Sequence, residues 1–309
     1  MKADLSKTAS LKLMKTLGAL ALESEKIEKP GNEPTSPPAR FEHRNGFDRE
    51  FLNGWRIELP IPKDDVRELR RGGTGGELKY QNFSVVMSAS RRLPRLTAVN
   101  IDGSQSRRVP RKDLWRYDGR LDKGDQWGED LYYGKGLDRG HMVRREDPVW
   151  GDADVASIAN DDTFHFTNAC PQMPGVNQKT WVGLENYVLA NARAEGMKVN
   201  VFTGPVLTDG DLEYGGGLIP LSFWKIVAIV DENGRPSATA YVVSQESELS
   251  ELEFVYGGYK TYQISVAHVM DLTDIDFSAL APYDGFSEYE SVMGQKLKEP
   301  LDSLDQVRI

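Results

Sequence analysis

Cysteine is almost absent from this chain of 309 residues: Cys170 is the only one, so no disulfide can form within it. No Cys/His cluster has zinc spacing, which excludes a closed thiolate site and fits a reducing compartment without requiring one. No run of about 18 apolar residues occurs, which excludes a membrane-spanning helix and argues for no membrane partner. There is no phosphate loop of the Gly-rich, Lys-Ser/Thr kind. Gly215–Gly217 is followed by a strand-like segment and reads as a turn. Histidine is scarce, with four in all. At the start, Lys2, Lys7, Lys12 and Lys15 precede a stretch, Leu17 to Leu22, that is too short for a signal peptide core. With Leu13, Leu17 and Leu20 on one face, residues 1–26 are predicted to form an amphipathic helix. A cytoplasmic location is expected, with secretion as the alternative.

What is present is enough for a core: 39% of residues are hydrophobic and 28% charged. The net charge of −9 is unevenly spread. Arg67 to Arg120 holds thirteen Lys/Arg against five Asp/Glu, whereas the chain from Asp209 onward holds eighteen acids against six bases. Such polarisation matters more for partners than the sum does.

Residues 27–40 contain Pro30, Pro34, Pro37 and Pro38 and read as a linker. A folded domain is expected over 41–290, with a polar tail at 291–309. Strands are predicted at 82–87, 96–101, 199–203, 222–230 and 237–243, from β-branched and aromatic runs closed by turn signals. Asn233-Gly234 joins the last two as a hairpin. Helices are predicted over 180–194 and 246–260. The result is an α/β (α+β) fold: a mixed, mostly antiparallel sheet flanked by helices.

Two segments carry candidate chemistry. In Leu137-Asp138-Arg139-Gly140-His141-Met142, an extended backbone would place Arg139 and His141 on one side, a cation beside a potential base. Gly140 would allow a close approach, and Asp138 could pair with a neighbouring Arg. In the second, Phe166 to Gln172, Asn168 and Gln172 are neutral oxygen donors in a shaped loop bearing Pro171 and Pro174. Asn177 stands where a helix N-cap would, and Glu185 follows eight residues on. A helix rises ~1.5 Å per residue, so Asn177 and Glu185 are too far apart to be equal ligands of one ion. If Asn177 touches a metal, Glu185 acts through water. An oxygen-rich set suits a hard cation such as Mg²⁺.

These residues resemble the DNA/RNA non-specific endonucleases of the ββα-metal (His-Me finger) class, the family of endonuclease G. The resemblance rests on Asp138-Arg139-Gly140-His141 and on Asn168-x-x-Pro171-Gln172-x4-Asn177-x3-Trp181-x2-Leu184-Glu185. It extends to Thr97-Ala-Val-Asn100, Phe202-Thr-Gly-Pro205, Ile219-Pro and Phe223-Trp-Lys225, over roughly residues 77 to 285. It implies hydrolysis of DNA and RNA to products ending in 5′ phosphate, with His141 as general base and Asn177 as the direct Mg²⁺ ligand, Mn²⁺ being a possible substitute. Glu185 would orient water and help protonate the leaving oxygen, and Arg139 would stabilise the phosphate. Asp138, Asn168 and Gln172 would support the site. Where some members carry a phosphate-contacting arginine, this chain has Leu189, with Arg193 the next arginine. Arg107, Arg108, Arg111 and Arg116 could supply sequence-independent backbone contacts instead. The resemblance also implies a homodimer or larger assembly. A regulatory partner acting through the N-terminal segment would restrain a nuclease held beside its own genome. The alternatives are a secreted scavenging nuclease, a sequence- or structure-specific nuclease, and an inactive nucleic-acid-binding protein on the same scaffold.

Overall fold

Branched and aromatic residues bounded by turn signals dominate the second half of the chain, and there the segments pair side by side. The structure is a computed structural model that describes residues 33–60, 62–69, 76–174, 181–245, 261–294, 297 and 299–301. The predicted helices at 1–26 and 246–260 lie outside the described residues, as does Asn177.

In chain order the elements are β1 (Thr35–Ser36), β2 (Glu77–Tyr80), β3 (Phe83–Met87), β4 (Pro94–Asp102), β5 (Tyr117–Asp118), α1 (Glu129–Tyr132) and β6 (Asp138–His141). Then come α2 (Ala153–Asp162), β7 (Ala169–Gln172), α3 (Trp181–Glu195), β8 (Lys198–Val206), β9 (Leu212–Tyr214) and β10 (Gly217–Ile219). The last are β11 (Ser222–Val230), β12 (Pro236–Ser244), β13 (Thr261–Ile264), α4 (Val266–Thr273), α5 (Gly285–Met293) and β14 (Glu299–Leu301). Among the described residues no helix is long and apolar enough to cross a membrane.

Eight strands make one sheet in the order β14-β13-β12-β11-β8-β4-β3-β2. Every neighbouring pair in it is antiparallel. All five predicted strands lie in this sheet, and the β11–β12 turn carries Gly234 at φ 78°, the left-handed conformation that Asn-Gly signals. Alternation along the strands separates two faces. On one, Trp224, Ile226, Phe202 and Ala240 pack with Phe47, Phe51 and Phe277. On the other, Phe223 and Val243 meet Phe164, Phe166, Met142 and Leu184, which belong to the elements of the candidate site. Lys225 also falls on this second face, within a strand that is apolar from Phe223 to Val230 apart from it.

Part of the segment expected to be a linker is structured. Thr35 and Ser36 pair with Tyr117 and Asp118, and Pro38–Phe41 form a 3-10 turn. His165 explains the attachment. Its Nδ1 lies 2.8 Å from the Asp162 carbonyl and its Nε2 2.9 Å from Ser36 Oγ. A carbonyl only accepts, so Nδ1 carries the proton and Ser36 donates to Nε2. Part of the expected polar tail is ordered too, because Glu299–Leu301 pair with Thr261–Gln263 at the sheet edge.

Candidate active site

Strands β6 and β7 leave the main sheet and pair with each other, and α3 is the next element described. The register sets Asp138 opposite Gln172, Arg139 opposite Pro171, Gly140 opposite Cys170 and His141 opposite Ala169. This is a ββα arrangement. The second segment therefore contains a strand, β7, where a loop was expected; Pro171 is tolerated because the pair is only two strands wide.

Extension of β6 places Arg139 and His141 on one face, and Trp115 touches both. The His141 ring lies 4.8 Å from Trp115 and 5.1 Å from Phe164, edge to face with the latter. The Arg139 guanidinium lies 5.7 Å above Trp115 and pairs with Glu129 of α1. His141 is half-buried, and its Nε2 is enclosed without a hydrogen-bond partner. Burial pushes its pKa down to about 3, with Arg111 the next cause and Arg145 and Arg139 adding to it, while Asp113 opposes them. The imidazole is thus held neutral at ordinary pH.

Gly140 is required by a neighbouring side chain rather than by its dihedrals. A Cβ here would sit 2.0 Å from Gln172 Oε1 and 2.2 Å from its Cδ. The Gln172 amide is fully buried, and neither of its polar atoms has a partner. Gly140→Ala is expected to cost about 1–3 kcal/mol by overpacking, and to lower activity by shifting His141. Adding Gln172→Ala should recover much of that stability. A urea melt in which Gly140→Ala matches the parent would refute this account.

Asn168, expected to support the site, is placed as a clamp. Its Oδ1 accepts from Val143 N at 2.8 Å, and its Nδ2 donates to the carbonyls of Val143 at 3.0 Å and Thr163 at 3.1 Å. All these bonds go to backbone, and they fix the turn that follows His141. Asp138 lies within electrostatic reach of Arg111.

Glu185 is buried on α3, and Lys225 of β11 reaches it, Nζ to Oε1 3.3 Å; the same Nζ donates to Thr203 Oγ1 at 2.9 Å. Asp147 lies nearby, with its Oδ1 enclosed and without a hydrogen bond and 4.0 Å from Arg144. Burial raises its carboxyl to about 7, against the pull of Arg144 and with Glu185 adding. Arg144 also donates to the Glu185 carbonyl at 3.2 Å. Sequence reasoning assigned no role to Trp115, Glu129, Asp147 or Lys225. For Lys225 a signal existed: a lysine amid an apolar strand must find a partner.

The four basic candidates are not equivalent. Arg107, Arg108 and Arg111 are exposed, Arg107 donating to the Gly151 carbonyl and Arg111 pairing with Asp113. Arg116 is half-buried, and its backbone bridges to that of His165.

Residues 67–284 match the DNA/RNA non-specific endonuclease family. An uncharacterised protein of Sinorhizobium fredii is 38% identical over 286 residues, which is 84% of this chain and 43% of that protein. The chain thus spans under half the length of this relative. A nuclease of Nostoc sp. is 27% identical over 224 residues, 67% of this chain and 77% of that protein. Among solved structures, the EndoG/EndoGI complex, a study of EndoG inhibition, matches with a TM-score of 0.53 and 17% identity, over 66% of this chain and 86% of that one. At this identity the likeness is one of fold.

Proposed function

The chain belongs to the DNA/RNA non-specific endonuclease family, and from that premise we propose that it hydrolyses phosphodiester bonds of both DNA and RNA, with His141 as general base and a divalent cation as cofactor. The observation that carries this is the His141 Nε2: a neutral, enclosed nitrogen with no partner, on the same face as the Arg139 guanidinium. A base needs a free lone pair near the proton that it takes. In this reading His141 removes a proton from water as the oxygen attacks phosphorus. Arg139, oriented by Glu129 and Trp115, stabilises the charge gathering on the phosphate, an effect that is often the largest in catalysis. Asn168 holds the backbone after His141, so that the imidazole does not drift.

The donor chemistry fits a hard cation. The buried groups Glu185 and Asp147 offer oxygen only, and Asp147 Oδ1 is bare. Among the described residues no cluster of three or more His, Cys, Asp or Glu side chains is poised for a metal. A cation that keeps most of its waters, as Mg²⁺ does, needs few protein ligands. We assign Asn177 as its direct ligand and Glu185 as a ligand through water, and Mn²⁺ would accept the same donors. When bound, the cation acts as a Lewis acid on the phosphate.

The test is digestion of supercoiled plasmid and of total RNA by the full chain, with Mg²⁺ and then with excess chelator. Both substrates should smear with Mg²⁺ and survive with chelator. RNA left whole beside digested DNA would sink the sugar-nonspecific reading, and digestion in chelator would sink the metal. Fragments that a kinase can label only after phosphatase treatment would support 5′-phosphate ends; direct labelling would contradict them.

A further inference from the structure

Beside the catalytic strands runs an open groove of about 780 Å³. Its walls are the loop before β5, the segment after His141 and the outer face of α3. Arg108, Arg111, Arg144, Arg145 and Arg193 line it against a single acid, Glu146. In a chain of net charge −9, five guanidiniums facing one carboxylate are a local concentration of the opposite sign. The crowding is costly: Arg145 is held below the usual guanidinium range, first by burial and then, against Glu146, by Arg111 and Arg144. The groove opens toward the catalytic base, because Arg111 and Arg145 are both close enough to depress the His141 pKa. It contains no aromatic side chain on which a base could stack.

In the protein alone, Glu146 serves two of these arginines. It accepts from Arg145 at 2.7 Å and pairs with Arg193 at 3.2 Å. Arg193 is steadied from its other edge by donating to Ser106 Oγ at 2.8 Å. Arg144 is turned toward α3 by Asn186 Oδ1 at 2.6 Å. Arg108 is exposed, and no side-chain partner is found for it among the described residues. Leu189, one helical turn before Arg193, is buried and cannot contact phosphate.

We propose that this groove is a binding subsite for phosphates of the substrate strand beyond the scissile one, with Arg108 and Arg193 gripping the backbone and Glu146 standing in for a phosphate in the free protein. This rests on the nuclease reading and deepens it: the enzyme selects strands long enough to fill the groove, and does so without reading bases. Guanidinium forks match phosphate oxygens in geometry as well as charge. Contacts of this kind are sequence-independent and weaken with salt.

The test uses the full chain carrying His141→Ala, so that nothing is cut, and fluorescein-labelled single-stranded DNA of four and of twelve nucleotides. Arg108→Ala, Arg193→Ala and the pair are compared. The pair should weaken binding of the twelve-mer on the order of tenfold and reduce the slope of log affinity against log salt by about 1–1.5, roughly 0.7 per phosphate lost. The four-mer, which offers the groove fewer phosphates, should lose clearly less. Arg193→Lys, which keeps charge but not the fork, should fall between Arg193→Ala and the parent. Arg108→Ala, at an exposed position, guards against misfolding as the cause. Equal loss for both lengths, or no loss for either, overturns the subsite. The two readings fail separately: weakened twelve-mer binding with no plasmid cutting by the parent would defeat the nuclease but keep the groove, and the reverse would defeat only the groove.

Discussion

His141→Ala is expected to abolish measurable phosphodiester cleavage, with a loss of about 10²–10⁴-fold, the range for a positioned acid–base group. The remaining elements, Arg139 and the cation, would still polarise the phosphate, which sets a floor under the loss. The substitution removes ring contacts to Trp115 and Phe164 but no hydrogen bond at Nε2, so the fold should persist. A variant within threefold of the parent would end the assignment.

The pH profile sharpens the same prediction. A base works only when neutral, and burial with neighbouring guanidiniums holds the free imidazole at about 3. The neutral form thus survives well below the ordinary histidine value of about 6.5. The acid limb of kcat/KM, which reports the free enzyme, should lie below that value. A bound phosphate offsets the charge of Arg111, Arg145 and Arg139, and so raises the pKa in the complex. The acid limb of kcat should therefore stand at higher pH than that of kcat/KM. Coincident limbs near 6.5 would show that His141 is neither depressed nor relieved by substrate.

The second large effect concerns stability. Lys225→Met should destabilise the protein by about 3–5 kcal/mol, because removing one partner of a buried pair leaves the other charge uncompensated. Glu185 would lose the amine 3.3 Å away while still facing Asp147, the carboxyl already raised to about 7. Thr203 would lose its donor as well. Adding Glu185→Gln should return part of the loss, since two coupled residues do not add. Urea denaturation measures both. A single variant within 1 kcal/mol of the parent would mean that water already reaches the pair.

The strands of the sheet were legible because β-branched runs and Asn233-Gly234 report only local preference. A candidate site was legible at Asp138–His141, where one short segment holds a cation, a glycine and an imidazole. Gly140 was legible as a close approach but not by what, since Gln172 lies more than thirty residues away and only the β6–β7 register brings its amide there. Asn168 was read as a supporting residue, and nothing in its neighbours announces that its side-chain bonds all go to backbone. Asp147 and Trp115 were invisible for the same reason: their roles come from elements that meet across the fold. The attachment of Thr35 and Ser36 was hidden by prolines, which signal the absence of helix but do not prevent a two-residue parallel pair.

Cys170 sits opposite Gly140 in the middle of the β6–β7 pair, fully buried, with its thiol pushed well up by burial. Being the sole cysteine, it is a reporter installed at the heart of the strands that carry the proposed base. A thiol reagent can reach it only when the packing around β7 opens, so the labelling rate counts those openings. Any ligand that braces the strands must slow the labelling. Occupancy of this site can therefore be followed by sulfur chemistry alone, with no bond in any nucleic acid being cut.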